Sequence, residues 1–241
     1  MSAATMATLL LSDLHLPRAP SPLRAAFARF LGGPARNAQA VYLLGDVFEY
    51  WVGDDIGLHD YAAEVAALRT LADHGVRLYF MHGNRDFLVG KTFAKATGVR
   101  LLPDPSRIEI EGRSMLLSHG DAWCTGDRSY QRWRRLARNR AAQWLFLHLP
   151  RAQRRAIAGG VRSHSGMAKR AKPEDIMDVD PTAVAAAFRA HGVTCIIHGH
   201  THRPAIHHSA EGERIVLADW RPERMEYLVV AADGLRRELV S

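Results

Sequence analysis

The sequence is poor in cysteine and has no long hydrophobic run. Only two of its 241 residues are cysteines, Cys124 and Cys195, and they lie far apart without CxxC spacing. A disulfide framework is therefore not expected, and a reducing compartment fits best. The N-terminus lacks the basic region of a signal peptide, and no run approaches the roughly 20 apolar residues that span a bilayer. These absences predict a cytoplasmic protein that is soluble or peripherally bound to a membrane.

Acidic residues are absent from one long segment, residues 128–172, here called the insert. The insert contains thirteen of the 32 Lys and Arg residues and none of the 25 Asp and Glu residues. The net charge of +7 therefore resides in the insert, since the remainder of the chain has a net charge of −6. The pattern is typical of basic amphipathic helices. Its large apolar residues are Trp133, Leu136, Trp144, Leu145, Phe146, Leu147 and Leu149. Solvated basic faces and aromatic core packing are the simpler alternative.

Short apolar runs that end in polar residues predict strands buried on both faces. They cover residues 7–13, 40–46, 77–84, 114–119 and 194–200. Helical patterns separate several of them, around 23–31, 61–74 and 181–191. This alternation predicts an α/β fold. Four further strands are predicted at 203–208, 214–218, 225–231 and 235–240. We expect these to form a second, more antiparallel sheet packed on the first.

The five apolar runs end in side chains that can bind metal. They are Asp13, His15, Asp46, Asn84, His119, His200 and His202. Ligands gather beyond the carboxyl ends of strands in open α/β sheets, so we expect these side chains to meet there. Two pairs are spaced two residues apart, and in extended backbone such residues point the same way, so that each pair would hold one ion. Flanking glycines, at positions 45, 83, 120 and 199, allow close approach of the backbone.

Seven ligands are too many for one ion and suit two ions with one shared carboxylate. Two metals about 3.5–4 Å apart clamp the attacking and leaving oxygens of a phosphoryl displacement. Mixed nitrogen and oxygen ligands without cysteine favour Mn, Fe or Zn over Mg or structural Zn. Each motif alone has a simpler interpretation, because a single Gly-Asp or Gly-Asn is usually a turn. All five in this order predict a metal centre.

The five motifs together resemble those of the calcineurin-like metallophosphoesterases. They read Asp13-Leu-His15, Gly45-Asp46, Gly83-Asn-Arg-Asp86, His119-Gly-Asp121 and Gly199-His-Thr-His202. The resemblance implies a two-sheet sandwich flanked by helices, with two metal ions. It implies that the first ion is held by Asp13, His15, Asp46 and His202. It implies that the second ion is held by Asp46, Asn84, His119 and His200, so that Asp46 bridges.

Arg85 stands where many enzymes of this superfamily carry a histidine that is assigned as proton donor to an alkoxide leaving group. Arginine cannot donate in this way, since its pKa lies above about 12. A phosphate leaving group, with a second pKa of about 6, needs little protonation. An arginine that stabilises its charge is then sufficient, which favours a pyrophosphate substrate over a simple ester. Alternatively, Arg85 pairs with Asp86, and both interpretations can hold.

Finer features resemble the UDP-2,3-diacylglucosamine diphosphatases of lipid A synthesis over nearly the whole chain. They lie at residues 48–55, 83–87, 120–127, 130 and 176–179. The resemblance implies a hydrolase dependent on two Mn²⁺ ions, which converts UDP-2,3-diacylglucosamine to UMP and 2,3-diacylglucosamine 1-phosphate. A metal-activated hydroxide would attack the phosphorus on the uridine side, with catalytic roles for Asp46, Arg85 and His119.

The same resemblance implies one domain over residues 1–241, with the insert as a helical cap over the acyl chains. Substrate contacts are expected at Asn84, Arg85, Asp127, Ser165, Lys169, Lys172 and His200. Position 169 is often Asn in relatives, which weakens that contact. Basic amphipathic helices also bind anionic membranes, so we expect peripheral contact with the cytoplasmic face of the inner membrane. Glu49, Trp51, Asp54 and Asp55 either shape the rim of the cleft or cap local structure.

Several other functions compete with this interpretation. Another dinuclear enzyme, such as a nucleotide pyrophosphatase or phosphodiesterase, would not need the apolar insert, and a protein phosphatase would usually carry histidine at position 85. A nucleic-acid-binding role rests on the basic insert, since Lys and Arg bind phosphates without regard to sequence. An inactive membrane-bound scaffold ranks last, because all seven ligands are present. We expect neither a nucleic-acid partner nor an obligate protein partner.

Overall fold

The computed structural model describes the backbone of residues 7–171 and 178–240, and the side chains of these residues apart from 162–171. The strands are β1 (Thr8–Leu11), β2 (Ala40–Leu43), β3 (Arg77–Met81), β4 (Arg100–Leu102), β5 (Ser106–Ile110), β6 (Arg113–Ser118), β7 (Cys195–His198), β8 (Ala205–His208), β9 (Glu213–Val216), β10 (Glu226–Ala231) and β11 (Gly234–Leu239). The α-helices are α1 (Pro22–Gly32), α2 (Asp54–Asp60), α3 (Ala62–Asp73), α4 (Lys91–Thr97), α5 (Arg128–Ala137), α6 (Arg140–Leu147), α7 (Arg151–Ala171) and α8 (Pro181–His191).

The strands form two sheets. The first has the order β11-β10-β1-β2-β3-β4, with β1 to β4 parallel and β10 and β11 antiparallel. The second has the order β5-β6-β7-β9-β8, with β6, β7 and β9 parallel between antiparallel edges. Helices α1, α3 and α4 cover the first sheet, and α8 covers the second. The predicted α/β sandwich with flanking helices is confirmed.

The expected division of strands between the sheets was wrong. The four C-terminal strands do not form a sheet of their own. Strands β8 and β9 join the second sheet, whereas β10 pairs with β1 and extends the first, with Thr8 opposite Val230. Strands β6 and β7 are central in the second sheet. The sequence of a short apolar run does not specify which strand it pairs with, because pairing is decided by packing between distant segments.

Strand β1 shows why continuous apolar runs suit this fold. Leu9 and Leu11 pack with Phe27 and Phe30 of α1 in the core on the helix side. Leu10, on the opposite face, belongs to the core between the sheets together with Leu117 of β6 and Ile197 of β7. All four residues of β1 are buried, since neighbouring side chains of a strand point to opposite faces and both faces are covered.

The arginines of the insert bind carboxylates of the remainder of the chain. Arg154 of α7 contacts Asp55 through two nitrogens, at 2.8 and 2.6 Å, and donates to the Val52 carbonyl at 2.6 Å. Arg155 contacts Asp60 at 2.9 Å. The uneven charge of the sequence therefore has a structural role, because the acid-free insert docks on acids elsewhere. Asp55 holds the insert, whereas its neighbour Asp54 accepts from the backbone N–H of Gly90 and Phe93 at the start of α4.

The insert also carries most of the exposed large apolar side chains of the described residues. Seven such residues lie on α5, α6 and α7: Trp133, Leu136, Trp144, Leu145, Leu147, Ile157 and Val161. Two lie elsewhere, Ile206 and Leu239. Within the described part of the chain, no helix combines the length and hydropathy needed to cross a membrane. A monomeric protein rarely exposes an apolar patch of this kind without a binding partner for it.

We expect Arg154→Ala to lower the free energy of unfolding by about 1–3 kcal/mol, because it removes charge-assisted hydrogen bonds of a buried guanidinium. Arg151→Ala is the matched control, since Arg151 contacts the same Asp55 at 2.9 Å but its side chain is 69% exposed, against 4% for Arg154. Its loss should cost less than about 1 kcal/mol. Urea unfolding measures both variants. Equal effects in the two would show that burial of Arg154 does not anchor α7.

Candidate metal centre

The loops after the strands of both sheets meet at one edge of the sandwich. Within the first sheet, the N–H of Asp13 donates to the Gly45 carbonyl at 3.0 Å. Between the sheets, the Nδ1 atom of His119 lies 2.9 Å from the Leu44 carbonyl oxygen. The N–H of His200 donates to Oδ2 of Asp13 at 2.8 Å. Residues that are far apart in sequence are thereby fixed around one buried point.

Asp13, His15 and His202 form the first group at this point. The Nε2 atom of His202 lies 3.3 Å from Oδ1 of Asp13 and 3.2 Å from Nε2 of His15. One ligand atom from each of the three residues lies within 4.8 Å of the others. The carboxylate of Asp13 is fully buried.

Asp46, Asn84, His119 and His200 form the second group. The Nε2 atom of His119 lies 3.2 Å from Oδ1 of Asn84 and 3.9 Å from Oδ1 of Asp46. The imidazole rings of His119 and His200 are 5.0 Å apart between centroids. Oδ2 of Asp46 also lies 4.0 Å from Nδ1 of His15. Asp46 therefore lies between the two groups, and the structure brings all seven predicted ligands together.

Five of the seven residues have positive φ angles. They are Asp13 (56°), His15 (47°), Asp46 (52°), His200 (70°) and His202 (57°). Among the described non-glycine residues, only Glu111 shares this conformation. Each such residue costs about 1–3 kcal/mol and persists where the surrounding structure enforces it, typically at a functional site. The strain is thus concentrated at the candidate centre.

The left-handed backbone overturns one expectation. From their spacing, His200 and His202 were expected to point the same way and hold one ion, although the family resemblance assigned them to different ions. Instead, the ring of His200 lies beside His119 in the second group, whereas His202 lies beside Asp13 in the first. The alternation rule applies to extended backbone, and neither histidine is extended.

The donor set fits metal cations. Asp13, Asp46 and His119 are buried, and Oδ1 of Asp13 accepts no hydrogen bond although His202 lies close to it. Burial by itself lowers the pKa of His119, but the carboxylates of Asp46, Asp13 and Asp121 outweigh it and raise the pKa to about 9. Two buried carboxylates of like charge require cations nearby. Metal binding would displace the proton from His119, since a ligating imidazole must be neutral.

Asp86 binds the backbone of the ligand loops and does not pair with Arg85. Its carboxylate accepts hydrogen bonds from the N–H groups of Val47 and Gly83, both at 2.8 Å. Arg85 turns the other way, with its Nε atom 3.5 Å from Oδ2 of Asp46. The geometry therefore favours a role for Arg85 at the centre over pairing with Asp86.

Asp121 is a site residue that sequence reasoning did not assign. It accepts hydrogen bonds from the hydroxyl of Tyr130 at 2.7 Å and from Nε of Arg134 at 2.9 Å, both on α5. Burial raises its pKa, but His119, Arg138 and other cations outweigh burial and hold the pKa well below the usual range. Its position in the His119-Gly-Asp121 motif, just before the acid-free insert, was the available signal.

Asp219 was also missed. Its Oδ2 atom lies 3.5 Å from Nδ1 of His202, and it receives hydrogen bonds from Arg221 at 2.7 Å and Arg224 at 3.1 Å. A carboxylate in this position orients a ligating histidine. No motif in the sequence distinguishes it from other acids near the C-terminus.

The predicted substrate contacts fall into three groups. Asn84, Arg85 and His200 lie at the centre. Asp127 caps α5, where its Oδ1 atom accepts from the N–H of Tyr130 at 3.0 Å. Ser165 and Lys169 lie on α7 outside the described side chains, and Lys172 lies outside the described residues.

Comparisons with known proteins define the class of this fold and site. A sequence model of the calcineurin-like phosphoesterases matches residues 6–204. The chain is 51% identical to the UDP-2,3-diacylglucosamine hydrolase of Aromatoleum aromaticum, covering 90% of this chain and 91% of that protein. It is 48% identical to the protein of the same name from Pseudomonas fluorescens, with 88% and 86% covered. The chain therefore belongs to the UDP-2,3-diacylglucosamine hydrolase family of calcineurin-like phosphoesterases.

The fold also occurs in a distant solved structure. Vacuolar protein sorting 29 from Cryptosporidium parvum superposes with a TM-score of 0.50 at 12% identity, covering 98% of this chain and 97% of that one. At this identity the likeness concerns the fold alone.

We expect Gly83→Ala to abolish metal binding, because its Cβ atom would lie 2.2 Å from Oδ1 of Asp46 and 2.3 Å from the Asp46 nitrogen. Gly32→Ala is the control, since its Cβ atom would lie within 4 Å of no atom outside its chain neighbours and the backbone of its own helix. Elemental analysis after dialysis measures bound metal, and circular dichroism checks the fold. Full metal content in a folded Gly83→Ala protein would contradict the assignment of Asp46.

Proposed function

We propose that this chain hydrolyses the pyrophosphate bond of UDP-2,3-diacylglucosamine and releases UMP and 2,3-diacylglucosamine 1-phosphate. The observation that carries the proposal is a cluster of seven metal-type ligands around the buried side chains of Asp13, Asp46 and His119, with Nε of Arg85 3.5 Å from Oδ2 of Asp46. The names of relatives about half identical over nine tenths of the chain support this substrate.

Two divalent cations, proposed to be Mn²⁺, would occupy the centre. Asp13, His15 and His202 would hold one, Asn84, His119 and His200 would hold the other, and Asp46 would contact both. When bound, such a pair of ions activates the nucleophile and neutralises charge on a phosphoryl group. The mixed nitrogen and oxygen ligands suit manganese, and the absence of cysteine argues against structural zinc.

Arg85 would stabilise the leaving phosphate. The side chain of Arg85 is 27% exposed and is thus accessible to substrate. The backbone N–H of Arg85 donates to Oδ1 of Asp46 at 2.8 Å and fixes the residue against the centre. A guanidinium at this place binds phosphate oxygens by charge-assisted hydrogen bonds. It cannot supply a proton, which suits a leaving group that needs none.

The insert would act as the cap over the acyl chains. Tyr130 of α5 stacks against the ring of His200 with centroids 5.8 Å apart, so the insert reaches the centre itself. Arg138 donates to the Gly83 carbonyl at 3.2 Å. Asp127, Ser165, Lys169 and Lys172 are proposed to contact the substrate from the insert.

Peripheral binding to the cytoplasmic face of the inner membrane is part of the proposal. Trp144 is 58% exposed and Leu145 is 62% exposed on α6. Nearby, Arg132 and Arg135 of α5 and Arg140 of α6 are exposed. Apolar side chains flanked by cations are typical of helices that lie on anionic lipid. Several other arginines already bind carboxylates of the chain, which disfavours a role in binding nucleic acid.

Release of UMP from UDP-2,3-diacylglucosamine tests the activity. We expect Mn²⁺-dependent release by the wild type, none by His119→Ala, and about a 10²–10³-fold lower kcat for Arg85→Ala with unchanged metal content. Arg189→Ala is the control, because Arg189 is an exposed residue on α8 that pairs with Glu211. Cleavage of a soluble phosphodiester without cleavage of the lipid would support the metal centre but contradict the proposed substrate.

Vesicle flotation tests the membrane surface. Replacing both Trp144 and Leu145 by Gln should weaken binding to vesicles containing anionic lipid by at least about tenfold, because each buried side chain contributes about 1.5–3 kcal/mol. The control replaces Ile206 and Leu239, the exposed apolar residues outside the insert, by Gln. Equal losses of vesicle binding in both double variants would mean that the face with Trp144 and Leu145 is not a specific membrane-binding surface.

A further inference from the structure

A cationic pocket borders the metal centre. It has a volume of about 400 Å³ and is lined by Arg203, Arg214 and Arg224, with Thr201 between the predicted ligands His200 and His202. Asp178 is the carboxylate among its lining residues. Arg203 pairs with Asp178 at 3.2 Å and Arg224 with Asp219 at 3.1 Å, whereas Arg214 forms no ion pair with any described carboxylate.

Arg214 lacks a full counter-charge. Its NH1 atom lies 3.0 Å from Nε2 of His198. An imidazole is neutral or cationic, so His198 offers Arg214 no negative charge. Arg214 is itself partly buried, and burial lowers its pKa although Asp178 acts in the opposite direction. A partly buried cation without a carboxylate partner costs free energy that a bound anion would offset.

Two further donors in the pocket lack partners. The hydroxyl of Thr201 and the Nε atom of Arg224 are both buried without a hydrogen bond. The same guanidinium of Arg224 is held through NH2, which donates to Oδ1 of Asp219 at 3.1 Å. Asp219 in turn lies beside His202, so the pocket and the metal centre share a wall. Buried donors without partners in a native structure call for an explanation, and an anionic ligand supplies one.

The chemistry of the pocket favours the nucleotide half of the proposed substrate over the lipid half. Six of its nine lining residues are charged or polar, whereas seven of the nine exposed large apolar side chains of the described residues lie on the insert. The insert reaches the centre beside Gly83 and His200. The pocket reaches it at Thr201 and through Arg224, which donates to Asp219. A volume of this size lies in the range of small-ligand sites.

We propose that this pocket binds the nucleotide half of the substrate, the uridine monophosphate group, with Arg214, Arg224 and Thr201 donating to it. This assignment rests on the proposed function and adds the subsite that separates the anionic nucleotide from the acylated sugar.

Calorimetric binding of UMP to the Mn²⁺-loaded full chain tests the assignment. We expect Arg214→Gln to weaken UMP binding and raise KM by about tenfold, since a charge-assisted contact is lost. Arg189→Gln, which alters an exposed arginine that does not line the pocket, should bind UMP as the wild type does. Thr201→Val keeps the shape of the side chain and should weaken UMP binding by a few fold, which decides the matter if Arg214→Gln does not fold.

Unchanged UMP affinity in folded Arg214→Gln, or in Thr201→Val, would overturn the proposal. Inorganic phosphate and uridine are the further probes, and each should bind more weakly than UMP. Phosphate that binds as tightly as UMP, with the same loss in Arg214→Gln, would reduce the pocket to a simple anion site and would also overturn it. UMP binding that depends on Arg214 without any hydrolysis of the lipid would instead refute the proposed function alone.

Discussion

The close approach of two buried carboxylates, Asp13 and Asp46, governs this structure. Both side chains lie out of water within reach of His119, where like charges repel and burial disfavours ionisation. Such an arrangement is stable only if hydrogen bonds and cations compensate for it. The surrounding structure supplies the hydrogen bonds, from the N–H of Arg85 to Asp46 and from the N–H of His200 to Asp13. The histidines, and the metal ions proposed to bind them, supply the positive charge.

The fold is shaped to hold these groups against their own strain. Left-handed backbone at five ligand positions turns the side chains inward after strands β1, β2 and β7. Glycine is needed where the loops cross, since a Cβ atom at Gly199 would lie 2.2 Å from Oδ2 of Asp13. The two sheets supply the rigidity, because the ligand loops grow from central strands that are buried on both faces. A strained site on such a scaffold is preorganised to bind its ligand without rearrangement.

Charge is divided between the insert and the remainder of the chain in a way that serves two purposes. Arg134, Arg154 and Arg155 bind acids outside the insert and fix its helices near the metal centre. The faces turned away from these contacts carry exposed tryptophan and leucine. Docking of the insert through ion pairs therefore leaves its apolar side chains accessible to lipid. The cationic pocket at Thr201 is lined by other residues than this surface, so that charged and apolar groups have separate places around one centre.

The sequence by itself determined the fold class, the main strands and the seven residues that meet at the candidate centre. Apolar runs that end in polar residues are local signals, and both the strands and their reactive ends follow from them. It did not determine which sheet each strand joins, because β7 and β10 are equally apolar and only packing separates them. The roles of Asp121 and Asp219 were equally hidden, since a carboxylate gains its meaning from a histidine or arginine brought beside it. The opposed directions of His200 and His202 arise from positive φ angles, which the surrounding tertiary contacts impose. The sequence thus reveals which residues can bind metal, whereas strand pairing and side-chain directions depend on contacts between distant segments.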